Sequence, residues 1–72
     1  MENHFTILSD TESKIVQMIA MEMSNKEIAI ELNYSQRMIE YYISQIFKKW
    51  NVHTRVGIVA KAYQTKVLTI HI

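Results

Sequence analysis

Residues 24–49, SNKEIAIELNYSQRMIEYYISQIFKK, read as two helices joined by one short turn, and the rest of the chain is organised around them. Ser24 can accept from the backbone N–H three residues on while Glu27 reaches back to Ser24, the reciprocal pairing of a capping box. Ile28, Ala29 and Leu32 then fall on one helical face. The pattern breaks at Asn33-Tyr34, and Ser35 offers a second N-cap. From Gln36 to Trp50 the residues Ile39, Tyr42, Ile43, Ile46, Phe47 and Trp50 make one broad apolar stripe. Gln36, Arg37, Glu40, Tyr41, Ser44, Gln45 and Lys48 are left facing outward.

Working outward from this stretch, Ser9-Asp10-Thr11-Glu12 is another capping box, with both acids suited to the positive end of a helix dipole. Leu8 stands ready to staple onto the first turn. Ile15, Val16, Ile19 and Ala20 continue an apolar face to about Met23. On the C-terminal side Asn51-Val52-His53 reads as a connection. Thr54 would cap a fourth helix running through Ile58, Val59, Ala62 and Tyr63, and Gly57 inside it reads as a close-packing site rather than a break. Residues 1–7 show no periodicity and form a short N-terminal arm, from which Phe5 or Ile7 can fold back. The last six residues, VLTIHI, are either the frayed end of the fourth helix or a tail that packs on a second subunit. Four helices in one domain spanning 1–72, all-α, is the expectation.

Composition agrees with that class. Seventy-two residues with no proline, no cysteine and a single glycine lack the punctuation of an all-β fold, a disulfide framework and a thiolate metal site. A chain this short buries a modest share of its surface, so helix packing or dimerisation must supply its stability. Charges interrupt every long apolar run, which excludes a membrane span. The N-terminus lacks the basic start and apolar run of a secretory leader, so the cytoplasm is the expected compartment. The net charge is only +1, but residues 1–31 sum to −4 and residues 32–72 to +5, an asymmetry that suggests one face for a polyanion.

A DNA-reading helix needs exposed side chains that reach base edges and donors around it for phosphates. The third helix meets that need. Arg37, Tyr41, Ser44 and Lys48 form a row at spacings of three and four, with Gln36, Glu40 and Gln45 beside it. Asn25, Lys26, Ser35 and Lys49 are the expected phosphate contacts, the first two because the start of the second helix favours an anion. Tyr42 and Trp50 read as core and Tyr41 as outward-facing. His4, His53 and His71 are too scattered for a zinc site. Met21, Met23 and Met38 are core filler or, alternatively, part of a partner surface. No nucleophile stands with a base and no glycine loop is placed to cradle phosphate, so the expectation is a non-enzyme without metal or cofactor.

The span ILSDTESKIVQMIAMEMSNKEIAIELNYSQRMIEYYISQIFKKWNVHTRVGIVAKA resembles the LuxR/GerE-type helix-turn-helix domain of bacterial transcription regulators. The resemblance rests on Ser24-Asn25-Lys26-Glu27-Ile28-Ala29, then Leu32, Ser35, Ile39, Ile43, Ile46, Lys49, Val52 and Arg55 at that family's spacing. It implies a four-helix domain whose third helix enters the major groove of double-stranded DNA, often as a homodimer packed through the fourth helix, here Ile58, Val59, Ala62 and Tyr63. It also implies an acid–base pair of Glu12 with Arg55, tying the fourth helix to the first. The chain departs from the family pattern in three places. Met38-Ile39-Glu40-Tyr41-Tyr42 stands where the family has Thr-Val-Lys-x-His, and Glu22 and Lys66 stand where it has glycine. An upstream receiver domain would make the chain an output module, whereas Met1 favours a stand-alone protein. The rival expectation, favoured by Glu40 and the low net charge, is an interaction module of the same fold that binds another transcription regulator.

Overall fold

A computed structural model describes residues 7–68. They form four helices, α1 (Asp10–Ala20), α2 (Asn25–Leu32), α3 (Gln36–Trp50) and α4 (Arg55–Gln64), with no strand among the described residues. The expected all-α class holds. Residues 1–6 and 69–72, with Phe5, His4 and His71, lie outside the described residues, as does most of the N-terminal arm.

Each helix begins where a side-chain oxygen accepts from the first turn. Ser9 and Ser24 complete the two capping boxes: Glu12 N–H and Glu27 N–H each donate to the serine Oγ at 3.1 Å, and both glutamates accept from the serine N–H. Ser35 Oγ accepts from Met38 N–H at 3.1 Å and Thr54 Oγ1 from Gly57 N–H at 2.9 Å. Each such cap stabilises its helix by about 1 kcal/mol.

The helix ends share a second device. Glu22, Asn33, Asn51 and Lys66 all have φ between 53° and 65°, and none of them is glycine. Beyond each, the next N–H returns to a carbonyl in the last turn: Met23 to Met18, Tyr34 to Ala29, Val52 to Phe47 and Val67 to Ala62. This closure satisfies carbonyls that the helix itself leaves free. Asparagine tolerates the left-handed conformation well, so the turns at Asn33 and Asn51 cost little. At Glu22 and Lys66 the same turn is made against the preference of an L side chain. Helices α1 and α4 end there nonetheless, because the closing hydrogen bonds and the packing of Met23 and Val67 on the core outweigh the local cost.

The core is aliphatic and shared by all four helices. Ile15 and Val16 of α1, Ile28 of α2, Ile39 and Ile46 of α3 and Ile58 of α4 are completely buried, with Ile19, Ala29, Ile43, Trp50 and Ala62 closing around them. Full burial of each large aliphatic side chain is worth about 1.5–3 kcal/mol, which is how helices as short as the eight residues of α2 are held. α2 packs on α3, and α1 packs on both α3 and α4. Trp50 is core as expected, while Tyr42 is half-buried. Gly57 is a close-packing site: a Cβ there would lie 3.2 Å from Val52 Cβ and 3.3 Å from Thr54 Oγ1. Of the last six residues, expected as a frayed helix end or a tail on a second subunit, only Val67 and Leu68 are among the described residues. The chain turns at Lys66, and Val67 and Leu68 fold back to donate to the Ala62 carbonyl and pack on the core.

Candidate nucleic-acid interface

The turn between α2 and α3 is made by Asn33 and Tyr34, and Ser35 launches α3 directly from it. Burial of Ile39, Ile43, Ile46 and Trp50 fixes the rotation of α3, so the opposite side is exposed by default. That side carries Gln36, Arg37, Glu40, Tyr41 and Lys48, all exposed, with Ser44 and Gln45 half-buried at its margins. The row read from the sequence is therefore brought together on one helix. Tyr41 is 55% exposed and held from beneath, its ring edge-on to Tyr42 with centroids 5.8 Å apart. Tyr42 in turn lies 5.9 Å from Tyr34. Its partial burial, together with the neighbouring Tyr34 and Tyr41 phenols and the Glu12 carboxylate, pushes the Tyr42 hydroxyl above its ordinary value. Through Tyr34 this aromatic cluster links the α2–α3 turn to α3 itself.

The flanking cations divide into free and engaged. Lys26 and Lys48 are exposed. Lys49 is not a free phosphate donor: its Nζ lies 2.6 Å from Glu12 Oε1 and 3.4 Å from the Ile7 carbonyl oxygen. The Glu12 side chain is 4% exposed, so this carboxylate needs its cation, and Lys49 is the base that α3 brings to it. The expected pairing of Glu12 with Arg55 is accordingly replaced. Arg55 instead donates to Asn25 Oδ1 at 2.9 Å and to the Met23 carbonyl, tying the start of α4 to the turn before α2. Asn25, expected only as a phosphate contact, thus has its side-chain oxygen occupied by Arg55. At the same helix start the Ser24 N–H and hydroxyl hold the Glu27 carboxyl below its ordinary value.

The residues expected on a dimerisation face do not share one exposed side of α4. Ile58 and Ala62 are completely buried against the chain's own core, so they cannot meet a second subunit. Val59 is half-buried and Tyr63 is 41% exposed. The outer side of α4 is instead Val56, Val59, Ala60 and Tyr63, at the i, i+3, i+4, i+7 spacing of an apolar stripe, with Val56 79% exposed. Val56, Val59 and Ala60 line a depression of about 540 Å³ with Ile19, Ala20, Glu22 and Arg55. The sequence signal is present: α4 carries two apolar stripes, and the expected set drew Val59 and Tyr63 from the outer one and Ile58 and Ala62 from the inner one. Among the methionines, Met21 is 71% and Met38 40% exposed, while Met23 packs against the core. Among the described residues no cluster of His, Cys, Asp and Glu could hold a metal, and no helix is long and apolar enough to cross a membrane.

Comparison with known proteins gives the same placement. The model of the family described as bacterial regulatory proteins, luxR family, matches residues 6–62. The chain is 36% identical over 56 residues to a nitrate/nitrite response regulator protein homolog of Haemophilus influenzae, covering 78% of this chain and 27% of that protein. It is 38% identical over 63 residues to the uncharacterized response regulatory protein YgeK of Escherichia coli, covering 88% and 43% respectively. To the transcriptional regulatory protein ComA of Bacillus subtilis it is 39% identical over 62 residues, covering 86% and 29%. The chain thus spans less than half the length of these relatives. No solved structure matches it significantly.

Proposed function

The chain belongs to the luxR family of bacterial regulatory proteins, and on that premise we propose that it binds double-stranded DNA by laying α3 in the major groove and so regulates transcription. The observation that carries this reading is the outward row Arg37, Glu40, Tyr41, Ser44 and Lys48 on a helix rotated by its own buried isoleucines. Gln36 and Gln45 border the row. Arg37, Tyr41, Ser44, Gln45 and Lys48 face bases, while Lys26, Ser35 and the N–H groups at Asn25 face phosphates. A second copy docks through Val56, Val59, Ala60 and Tyr63, giving a homodimer whose two α3 helices read a symmetric or repeated site. Where the chain is one part of a longer protein, as its relatives' lengths suggest, a receiver domain upstream would govern that pairing.

Binding to random duplex at two low salt concentrations, read by fluorescence anisotropy, tests the proposal. Micromolar affinity that falls steeply with salt supports it, and no binding at tens of micromolar refutes it. Val56→Glu should weaken self-association in sedimentation without unfolding the domain, since Val56 contributes nothing to the core. One observation favours a second reading, an interaction module that binds another regulator. Ile30, Tyr34 and Met38 are exposed around the α2–α3 turn, 71%, 39% and 40% respectively, beside the acidic Glu31 and Glu40. Failure to bind duplex, with Ile30-dependent capture of a defined partner regulator, would select that reading.

A further inference from the structure

The outer face of α3 carries a single acid, and its chemistry narrows which base it can accept. Glu40 is exposed in the second turn of α3, with Arg37 one turn before it and Ser44 one turn after. Among the described residues it has no cationic partner within 4.0 Å, the single ion pair there being Lys49 with Glu12. Its carboxylate is therefore not consumed by the fold and is free to meet a ligand. Resting on the DNA-binding reading above, we propose that Glu40 is a specificity-determining residue that selects cytosine in the major groove.

An ionised carboxylate only accepts hydrogen bonds. In the major groove guanine presents N7 and O6, both acceptors, and thymine presents O4 and a methyl group, so both leave the carboxylate facing oxygen or nitrogen lone pairs. Adenine offers the N6 donor, but with the N7 acceptor beside it, where the second carboxylate oxygen would stand. Cytosine offers the N4 donor with a C–H as its neighbour. It is the base edge that gives a donor without a competing acceptor. The placement also limits the cost of bringing a carboxylate near phosphates, because Arg37 lies at i−3 on the same exposed side and supplies the compensating charge. Arg37 can in addition take guanine O6 and N7, so a C·G pair satisfies both side chains together. Tyr41, next to Glu40 in sequence, is itself exposed and packs edge-on against Tyr42 with centroids 5.8 Å apart.

The test is selection from a randomised duplex pool with the whole chain and with its Glu40→Gln and Glu40→Ala variants. Circular dichroism checks that each variant keeps its helices, as an exposed position should allow. The wild-type protein is expected to enrich cytosine at one position by a factor on the order of ten. Glu40→Gln should shift that position to adenine, which the glutamine amide can both donate to and accept from. Glu40→Ala should erase the preference there and leave the others in place. Wild-type binding with no cytosine position, or a cytosine preference that survives in Glu40→Ala, overturns the inference while leaving DNA binding intact. No binding of the wild-type chain to any duplex at low salt overturns both.

Discussion

Lys49 and Glu12 form a 2.6 Å ion pair that fastens the last turn of α3 to the first turn of α1. The glutamate does two jobs with the same oxygen, since Oε1 also accepts from the Ser9 N–H at 2.8 Å and completes the cap of α1. With Glu12 buried and Lys49 a quarter exposed, removing the lysine strands a carboxylate. Lys49→Ala should cost about 2–3 kcal/mol of stability, less than the roughly 3–5 kcal/mol of a fully buried pair because Lys49 keeps some water. Lys48→Ala, next in sequence but exposed, should stay within about 0.5 kcal/mol of wild-type stability and weaken duplex binding at the base position it faces by about 1–3 kcal/mol. Urea denaturation of both variants, with measurements of duplex affinity, separates the two lysines. A Lys49→Ala protein of wild-type stability would show the pair to be without structural weight.

Adjacent lysines with opposite fates show what a sequence can and cannot disclose. Helix starts were legible to the residue, because Ser9, Ser24, Ser35 and Thr54 each carry the oxygen that a free N–H requires, and the predicted span of α3 matches the observed Gln36–Trp50. The core stripe was legible for the same reason, since apolar spacing sets a helix's rotation. What escaped was tertiary choice. Two bases, Lys49 and Arg55, were available to one buried acid, and only the packing of α3 against α1 decides that Lys49 reaches it. Likewise α4 has two apolar sides, and periodicity alone does not say which of Ile58 or Val56 turns inward. The outward row of α3 was found because it is the remainder after the core is subtracted.

Glu27 provides a pH test of the α2 cap. Its carboxyl accepts from the Ser24 N–H at 2.9 Å, and its own N–H donates to Ser24 Oγ. The backbone bond, followed by the hydroxyl, lowers its pKa from the ordinary 4.5. A folded value below the unfolded one means that the contribution is fully present above pH 4.5 and is lost as pH falls through the lower, folded value. Carbon-detected NMR titration should therefore find Glu27 titrating below 4.5, and Ser24→Ala should move it upward. A Glu27 carboxyl titrating at or above 4.5 would contradict the cap.

Two helix ends are open to stabilisation. Glu22 and Lys66 sit at φ 63° and 65°, in turns whose hydrogen bonds are complete without their side chains. Glycine removes the Cβ clash at such a position at the expense of greater freedom in the unfolded chain. Glu22→Gly should raise stability by about 0.5–1 kcal/mol, a rise in Tm of roughly 2–8 °C for a domain of this size, and Lys66→Gly should act in the same direction. Calorimetry reads both. Gly57→Ala is the informative contrast, because its gain in helix propensity meets Val52 Cβ at 3.2 Å, so it should not produce the same rise.

Arg55 links the two surfaces on which the proposed function depends. Its guanidinium holds Asn25 and the Met23 carbonyl, while its position at the start of α4 puts it on the rim of the depression lined by Val56 and Val59. Both hydrogen bonds are charge-assisted and partly shielded, so Arg55→Ala should cost about 2 kcal/mol, seen as a lower Tm. Arg55→Lys should recover less than half of that, because an ammonium cannot span an amide oxygen and a carbonyl with the geometry of a planar fork. Asn25→Ala should lose only the weaker share, since the Met23 carbonyl still accepts from Arg55. The decisive comparison is duplex affinity at equal folded fraction. If Arg55 positions the start of α2 for phosphate, Arg55→Ala weakens binding to all duplex sequences alike and leaves the base preferences set by α3 unchanged. A change confined to one base position would mean that Arg55 acts through α3 instead.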